Sequence, residues 1–123
     1  MVAEDYPTSL RSFTISFSSK LVALPQWLIQ SATTLQFLEI CECDKLAALP
    51  EWLPDLTSLQ KLQIWFCPKL SSLPKGMGRL TALRELNIRE TSGRGELSKN
   101  CEREVGVEWP KIKHIPQIKI TWS

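Results

Sequence analysis

The stretch Thr33–Leu59, TTLQFLEICECDKLAALPEWLPDLTSL, contains one complete copy of a unit that the chain repeats. Its seven apolar positions each find an apolar partner 24 residues later, and most also recur 25 residues earlier. The three sets are Leu35, Leu38, Ile40, Leu46, Leu49, Leu53 and Leu56; Leu59, Leu62, Ile64, Leu70, Leu73, Met77 and Leu80; and Leu10, Phe13, Ile15, Leu21, Leu24 and Leu28. A proline after the fifth apolar site returns as Pro25, Pro50 and Pro74. The chain is therefore organised by an internal repeat.

Each repeat divides into a strand and a return segment. In the first half, LxxLxI, the last two apolar residues are two apart, which places both on one face of a strand. Strands joined by about twenty residues run parallel, because a hairpin cannot span that connection. The second half, LxxLPxx(L/M)xxL, has apolar residues three and four apart around a proline, which favours an irregular or 3₁₀ segment. Such a unit buries its apolar side only against neighbouring copies, which predicts a solenoid.

The fold class expected from this pattern is a leucine-rich-repeat solenoid, an α/β-type horseshoe segment. A parallel β-sheet of about five strands should form its concave face, and irregular or 3₁₀ return segments its convex face. We expect a polar N-terminal arm at 1–7, a single domain at 8–120 and a tail at 121–123. The domain should comprise three regular repeats, an irregular fourth and a closing strand, at 8–32, 33–56, 57–80, 81–114 and 115–120.

The region 89–114 is charged and contains glycines, and it interrupts the pattern. We expect a long loop there with one helical turn around Leu97–Cys101. The segment Ile115–Ile120 then restores the LxxLxI spacing and predicts a fifth parallel strand. Pro116 lies ahead of its paired residues, where proline is tolerated. Trp109 is expected to fold over the end of the core.

Composition excludes several classes of function. The 123 residues are enough for one domain that buries roughly two thirds of its unfolded surface. A net charge of +2 is too small to indicate nucleic acid or a membrane as the partner. No apolar run approaches the ~20 residues that a transmembrane helix needs. The sequence shows neither a targeting segment nor a disulfide-framework spacing, so we expect a cytoplasmic protein whose four cysteines are reduced.

The repeat LxxLxIxxCxxLxxLP and the ending Gly106–Ile120, GVEWPKIKHIPQIKI, together resemble one family. Over residues 8–120 the chain looks like the C-terminal end of the plant intracellular nucleotide-binding leucine-rich-repeat (NBS-LRR) disease resistance proteins. Val107 stands where that family usually has an acidic residue, and Thr91 begins a segment that departs from its C-P-x-L motif. The resemblance implies a sensor that recognises a pathogen effector, a host protein or other domains of the same receptor. No GxxxxGK(S/T) phosphate loop occurs, so the chain is either a receptor fragment or a short relative.

Strand residues between the apolar ones point to the opposite, concave face of the sheet. Neighbouring strands should align them in three columns: Ser12, Phe37, Lys61 and Glu85; Thr14, Glu39, Gln63 and Asn87; Ser16, Cys41, Trp65 and Arg89. Exposed aromatics with arginine are the usual composition of interface anchors. The residues expected to bind a protein partner are Phe37, Glu39, Lys61, Gln63, Trp65, Glu85, Asn87 and Arg89. The alternative is that the two aromatics are isolated exposed residues that pack over their neighbours.

Two cysteines, Cys43 and Cys67, occupy the inward turn position of their repeats, with Ser18 and Thr91 in register. A small group there can hydrogen-bond the backbone of the next coil. A metal site is the alternative, but Cys41 projects from the other face, so we expect neither a metal nor a cofactor. The sequence has no Gly-x-Ser-x-Gly elbow, no Cys/His/Asn set on shared strands and no carboxylate pair in a setting that would raise a pKa. We therefore expect no enzyme.

A solenoid exposes an apolar end unless a cap covers it. The C-terminal tail supplies a cap at one end, whereas only a short polar arm flanks the strand at Ser12–Ser16. We expect this end either to dock onto earlier repeats of a longer protein or to form a homodimer through the N-terminal edge strand. Two functions remain open. One is a non-catalytic protein–protein interaction module, the sensor and autoregulatory end of an immune receptor; the other is a purely structural terminal cap of a longer solenoid, without a ligand of its own.

Overall fold

The computed structural model describes residues 7–91 and 96–122, and five strands within these ranges form one parallel sheet. The strands are β1 (Ser12–Ser16), β2 (Phe37–Cys41), β3 (Lys61–Trp65), β4 (Glu85–Glu90) and β5 (Gln117–Trp122). Their order in the sheet is their order in the chain. The predicted parallel sheet is thereby confirmed. Of the predicted N-terminal arm at 1–7, only Pro7 is among the described residues. Ser123, the last residue of the predicted tail, lies outside them.

Strand pairing places equivalent positions of successive repeats side by side. Leu38 pairs with Leu62, and Leu62 pairs with Leu86. All three side chains are fully buried, because the apolar face of each strand packs toward the return segments. At about 25 cal/mol per Å² of apolar surface removed from water, this column of leucines is a main source of stability.

Short 3₁₀ segments lie between the first four strands, as the proline-centred pattern predicts. They span Gln26–Ser31, Leu53–Asp55 and Lys75–Arg79. A proline directly precedes the first and third segments, and another proline lies inside the second. The fixed φ of proline suits the first turn of a helix. Each segment buries an apolar side chain in the core: Leu28, Leu53 and Met77.

A residue with a left-handed backbone conformation directly follows each of the first three strands. Phe17, Glu42 and Phe66 have φ values of 56°, 52° and 58°. Each donates its backbone N–H to a carbonyl near the carboxyl end of the next strand; Glu42, for example, donates to the Trp65 carbonyl at 2.8 Å. This conformation turns the chain inward, so that the following residues Cys43 and Cys67 are buried.

The fourth strand departs from this arrangement. Glu90, the counterpart of Phe66, stays in β4 and pairs with Trp122 of β5. Its side chain is buried, whereas Thr91 is exposed. The expectation that Thr91 occupies the inward turn position is therefore wrong, because β4 continues for one residue where the other strands turn.

The C-terminal region returns to the sheet through two helical turns, α1 (Leu97–Asn100) and α2 (Trp109–Ile112). The first confirms the expected turn around Leu97–Cys101, and the second was not predicted. Trp109 is half-buried against the core, as expected. The closing strand begins at Gln117 rather than at residue 115, because Pro116 has no N–H to pair, and it includes two residues of the predicted tail. None of the helices in the described residues has the length and apolar character required to span a bilayer.

Candidate functional site

Alternate strand positions form a second face of the sheet, opposite the core, which we call the open face. Its columns follow the predicted register. Phe37 of β2 pairs with Lys61 of β3, and Gln63 and Trp65 of β3 pair with Asn87 and Arg89 of β4. The fifth strand extends the columns with Gln117, Lys119 and Thr121. Every candidate residue from the sequence lies on this face: Phe37, Glu39, Lys61, Gln63, Trp65, Glu85, Asn87 and Arg89.

Each aromatic side chain of the open face lies close to a cationic side chain. The Lys61 ammonium lies 5.8 Å from the centroid of the Phe37 ring. The Arg89 guanidinium lies 5.9 Å from the Trp65 ring and 5.9 Å from the Phe66 ring. Such contacts are worth about 0.5–1 kcal/mol at exposed sites. They hold long side chains in place, which lowers the entropy lost when a partner binds.

A polar cluster lies at the centre of the open face, between the two cation–aromatic groups. The Glu85 carboxylate lies 3.7 Å from the Lys61 ammonium and 3.9 Å from that of Lys119. The Asn87 amide Nδ2 donates to Glu85 at 2.9 Å and to Gln63 at 3.1 Å. Glu85 and Asn87 are half-buried, and Gln63 is 8% exposed, so neighbouring side chains already hold these polar groups in place.

Glu39 pairs in register with Gln63, and its carboxylate accepts a hydrogen bond of 3.4 Å from the Thr14 hydroxyl on β1. Among the described residues the Asn87 Oδ1 atom is buried and has no hydrogen-bond partner.

The open face also contains residues that sequence reasoning missed. Lys119 was not selected, although its position between Ile118 and Ile120 has the alternation that identifies the other open-face residues. Phe66 was missed because it follows β3 and reaches Arg89 only through its left-handed conformation. A strand pattern does not predict that turn.

The inward cysteines have a structural role. The Cys67 Sγ atom lies 4.0 Å from the Ile40 carbonyl of β2 and 3.6 Å from the Trp65 carbonyl. The expected bond to the next coil is therefore wrong: Cys67 contacts the preceding strand, and the Cys43 Sγ atom lies 3.7 Å from the Cys41 carbonyl of its own strand. Burial raises the pKa of the Cys67 thiol to about 12, so the thiol stays protonated at neutral pH. No group of three His, Cys, Asp or Glu side chains within 7–91 and 96–122 is placed to hold a metal ion.

Cavities adjoin the sheet at the carboxyl ends of its strands and beside β5. One, of about 390 Å³, lies at the carboxyl ends of β2–β4 and is lined by Glu42, Asp44, Phe66 and Glu90 among others. The second, of about 570 Å³, lies near β5 beside the exposed His114. Comparison of the chain with protein-family models and with curated proteins yields no match.

Proposed function

We propose that the chain is a leucine-rich-repeat solenoid whose open face, its concave side, is a non-catalytic protein-binding surface. The observation that carries this proposal is the pairing of aromatic and cationic side chains on a face that the described return segments do not cover. Aromatic residues and arginine are enriched where proteins bind one another, and lysine is not a usual anchor. Trp65 and Arg89 are therefore the expected anchors.

The solenoid assignment is supported by the sheet. Successive strands from β1 to β4 begin 24 or 25 residues apart, pair in parallel and place like residues next to each other. A unit that packs only against its neighbours is the defining property of a solenoid. The partly exposed β1 supports continuation of the stack at that end, since Phe13 and Ile15 are only half-buried while their counterparts in β2 are fully buried.

The resemblance of the repeat and the tail to plant NBS-LRR disease resistance proteins supports a more specific role. In this proposal the chain is the C-terminal sensor and autoregulatory end of a cytoplasmic immune receptor. Its partner is a protein: a pathogen effector, a host protein or another domain of the same receptor. Five strands at ~4.8 Å spacing present a face ~20 Å across, which is small beside the ~800 Å² per partner of a standard interface. The isolated chain should therefore bind weakly.

The test compares what the wild-type chain and its variants capture from plant-cell extract by cross-linking and quantitative mass spectrometry. The open-face variants are Trp65→Ala and Arg89→Ala, and the matched control is Arg79→Ala. Arg79 is also a partly exposed arginine, but it pairs with Asp55 on the return segments. We expect the wild type and the control to capture at least one protein in equal amounts. The captured amount of that protein should fall about tenfold with each open-face variant.

Circular dichroism and thermal melting must show that the open-face variants remain folded. Capture that is equal for the wild type, both open-face variants and the control would contradict the binding function.

The second candidate function is a structural terminal cap without a ligand. The half-buried apolar residues of β1 favour it, because they show that this end of the sheet lacks a neighbour among the described residues. A cap requires only this edge and not the open face. Unchanged capture by the Trp65→Ala and Arg89→Ala variants, together with association through β1, would support the cap.

A further inference from the structure

The strand β5 is an edge of the sheet, and half of its backbone hydrogen-bonding groups face away from β4. Among the described residues β5 pairs only with β4. Consecutive residues in a parallel ladder direct their N–H and C=O groups alternately to the two sides of the strand. The Gln117 N–H donates to the Arg84 carbonyl at 3.0 Å, so Gln117 and Lys119 direct these groups toward β4. Ile118 and Ile120 therefore direct theirs outward.

A cavity of about 570 Å³ runs along this outer edge. Its lining includes the four consecutive residues 117–120, whose side chains alternate between the two faces of the sheet. Among the described residues, none of β4 lines it. The cavity is therefore on the outer side of β5, beside the outward N–H and C=O groups, where a chain that paired with β5 would lie.

The same cavity leaves part of the apolar core uncovered. Ile118 and Ile120 are only half-buried, whereas Leu86 and Ile88, their partners in β4, are 0% and 1% exposed. Half-buried Trp109 forms another part of the wall. Because apolar side chains of one strand lie two residues apart on one face, an added strand with that spacing would cover both isoleucines.

The charged side chains that line this cavity belong to Arg103, Lys113 and Lys119, and none is acidic. Lys113 forms no ion pair within 7–91 and 96–122. Lys119 lies 3.9 Å from Glu85, and Arg103 lies 4.0 Å from Glu104. Long ion pairs of exposed cations contribute little to stability. A strand with acidic side chains would therefore meet an excess of positive charge at this edge.

This charge also discriminates among the strands that could occupy the edge. Lys119 lies near the middle of β5, and like charges opposite each other on paired strands are destabilising, which disfavours β5 of a second copy. The other edge strand, β1 (Ser12–Ser16), contains no acidic residue. The complement of this edge is therefore an acidic segment of a different protein.

We propose that the outer edge of β5 pairs with an extended segment of a partner protein in which acidic and apolar residues alternate. The backbone of the segment pairs with the outward N–H and C=O groups of β5, as in other complexes that add a strand to a sheet. Its apolar side chains cover Ile118 and Ile120, and its acidic side chains lie on the opposite face beside Lys119. This site is separate from the anchors Trp65 and Arg89, so it goes beyond the function proposed above.

The experiment is an NMR titration of the full chain, labelled with ¹⁵N, with the acetylated and amidated peptide Asp-Ser-Glu-Val-Glu-Ile-Glu-Ser-Asp. We expect the amide signals of Ile118 and Ile120 and the indole signal of Trp109 to shift. The same peptide with lysine at every acidic position should bind at least tenfold more weakly. N-methylation of the Val, Ile and central Glu nitrogens should weaken binding to the same extent. Absence of shifts in β5, or equal binding of either comparison peptide, would overturn the proposal.

Charge-reversal variants test the electrostatic part of the site. Lys113→Glu combined with Lys119→Glu should weaken binding of the acidic peptide at least tenfold. The matched control is Lys45→Glu combined with Lys69→Glu, which changes the net charge equally at exposed lysines outside the cavity. The control should bind as the wild type does, and an equal loss in both double variants would overturn the proposal.

A second pair of variants tests the backbone pairing. Ile120→Pro removes an N–H that faces outward, and proline is tolerated at such positions of an edge strand. Ile120→Ala also loses the isoleucine side chain but keeps the N–H. The proline variant should bind the acidic peptide at least tenfold more weakly than the alanine variant, with thermal melting to show that both are folded. Equal binding by the two folded variants would overturn the proposal.

Other occupants of this edge are outcomes of the same measurement. Shifts of the Ile118 and Ile120 amides that appear when the concentration of the chain alone is raised would assign the edge to a second copy. Tighter binding of oligothymidylate than of the acidic peptide would assign it to a nucleic acid. Either result would overturn the proposal.

Discussion

The buried thiols provide a prediction at the residue scale. Burial raises the pKa of Cys67 from 9.0 to about 12. Because the folded-state pKa lies above the unfolded one, the protonated thiol contributes its full stability below pH 9 and loses it as the pH rises toward 12. We expect the urea midpoint of the wild type to fall between pH 8.5 and pH 11. The fall should be smaller in Cys67→Ala, and equal falls would contradict it.

Single residues were predicted where a repeat position determines their direction. Cys43 and Cys67 are inward as expected, and the open-face columns have the expected register. At the end of β4 the buried side chain is that of Glu90 and not that of Thr91. This was not predicted, because it depends on the pairing of Glu90 with Trp122 of β5. The contacts between Arg89 and two aromatic rings were not predicted either, since they depend on side-chain conformation.

At the scale of elements, α2 attaches the C-terminal region to the stack through one buried carboxylate. Glu108 is 7% exposed, and its Oε1 atom accepts the Leu73 backbone N–H at 2.7 Å and the Lys111 ammonium at 2.8 Å. Lys111 also donates to the Leu73 carbonyl at 2.8 Å. The close approach of this loop requires Gly106, because a Cβ there would meet the Asn100 backbone at 2.2 Å.

Glu108→Ala should therefore destabilise the chain. The substitution leaves the Leu73 N–H buried without an acceptor, which costs about 1–3 kcal/mol. The control is Glu104→Ala, because the Glu104 side chain is 77% exposed. Chemical denaturation measures both, and a change below about 0.5 kcal/mol for Glu108→Ala would show that the contact is dispensable.

The strands could be predicted from two apolar residues at fixed spacing, whereas the short helices could not. The helix α2 has four residues and begins with Trp109-Pro110, a length at which periodicity carries no information. The return segments could be predicted because apolar residues three and four apart recur around Pro25, Pro50 and Pro74 in each repeat. The role of Glu108 follows from a long-range contact and has no local pattern.

At the scale of the whole molecule, the end of the sheet at β1 should associate with a second copy. Phe17 and Val22 lie in this first coil and are 73% and 67% exposed. Among the described residues β1 pairs only with β2, and an edge strand beside such residues favours pairing with another chain. We expect sedimentation at tens of micromolar to show a dimer, and Phe17→Lys with Val22→Lys to abolish it.

A matched control for this association lies at the other end of the chain. Val105 and Val107 are 72% and 74% exposed, and their double substitution by lysine should leave the dimer intact. A wild-type chain that is monomeric at these concentrations would contradict the prediction. The order of the whole sheet could be predicted because the repeat specifies each neighbour, but the repeat does not specify what lies beyond β1.

The sheet order from β1 to β5 means that each inner strand is hydrogen-bonded to the strand before it and to the strand after it. In the part of the chain that the structure describes, each strand pairs only with its neighbours in the sheet order, so no strand pairing joins the two ends of the sheet. Loosening that starts at an outer strand must therefore pass inward one coil at a time. The central strand β3, with two neighbours on either side, is then the last to exchange its amide protons with water.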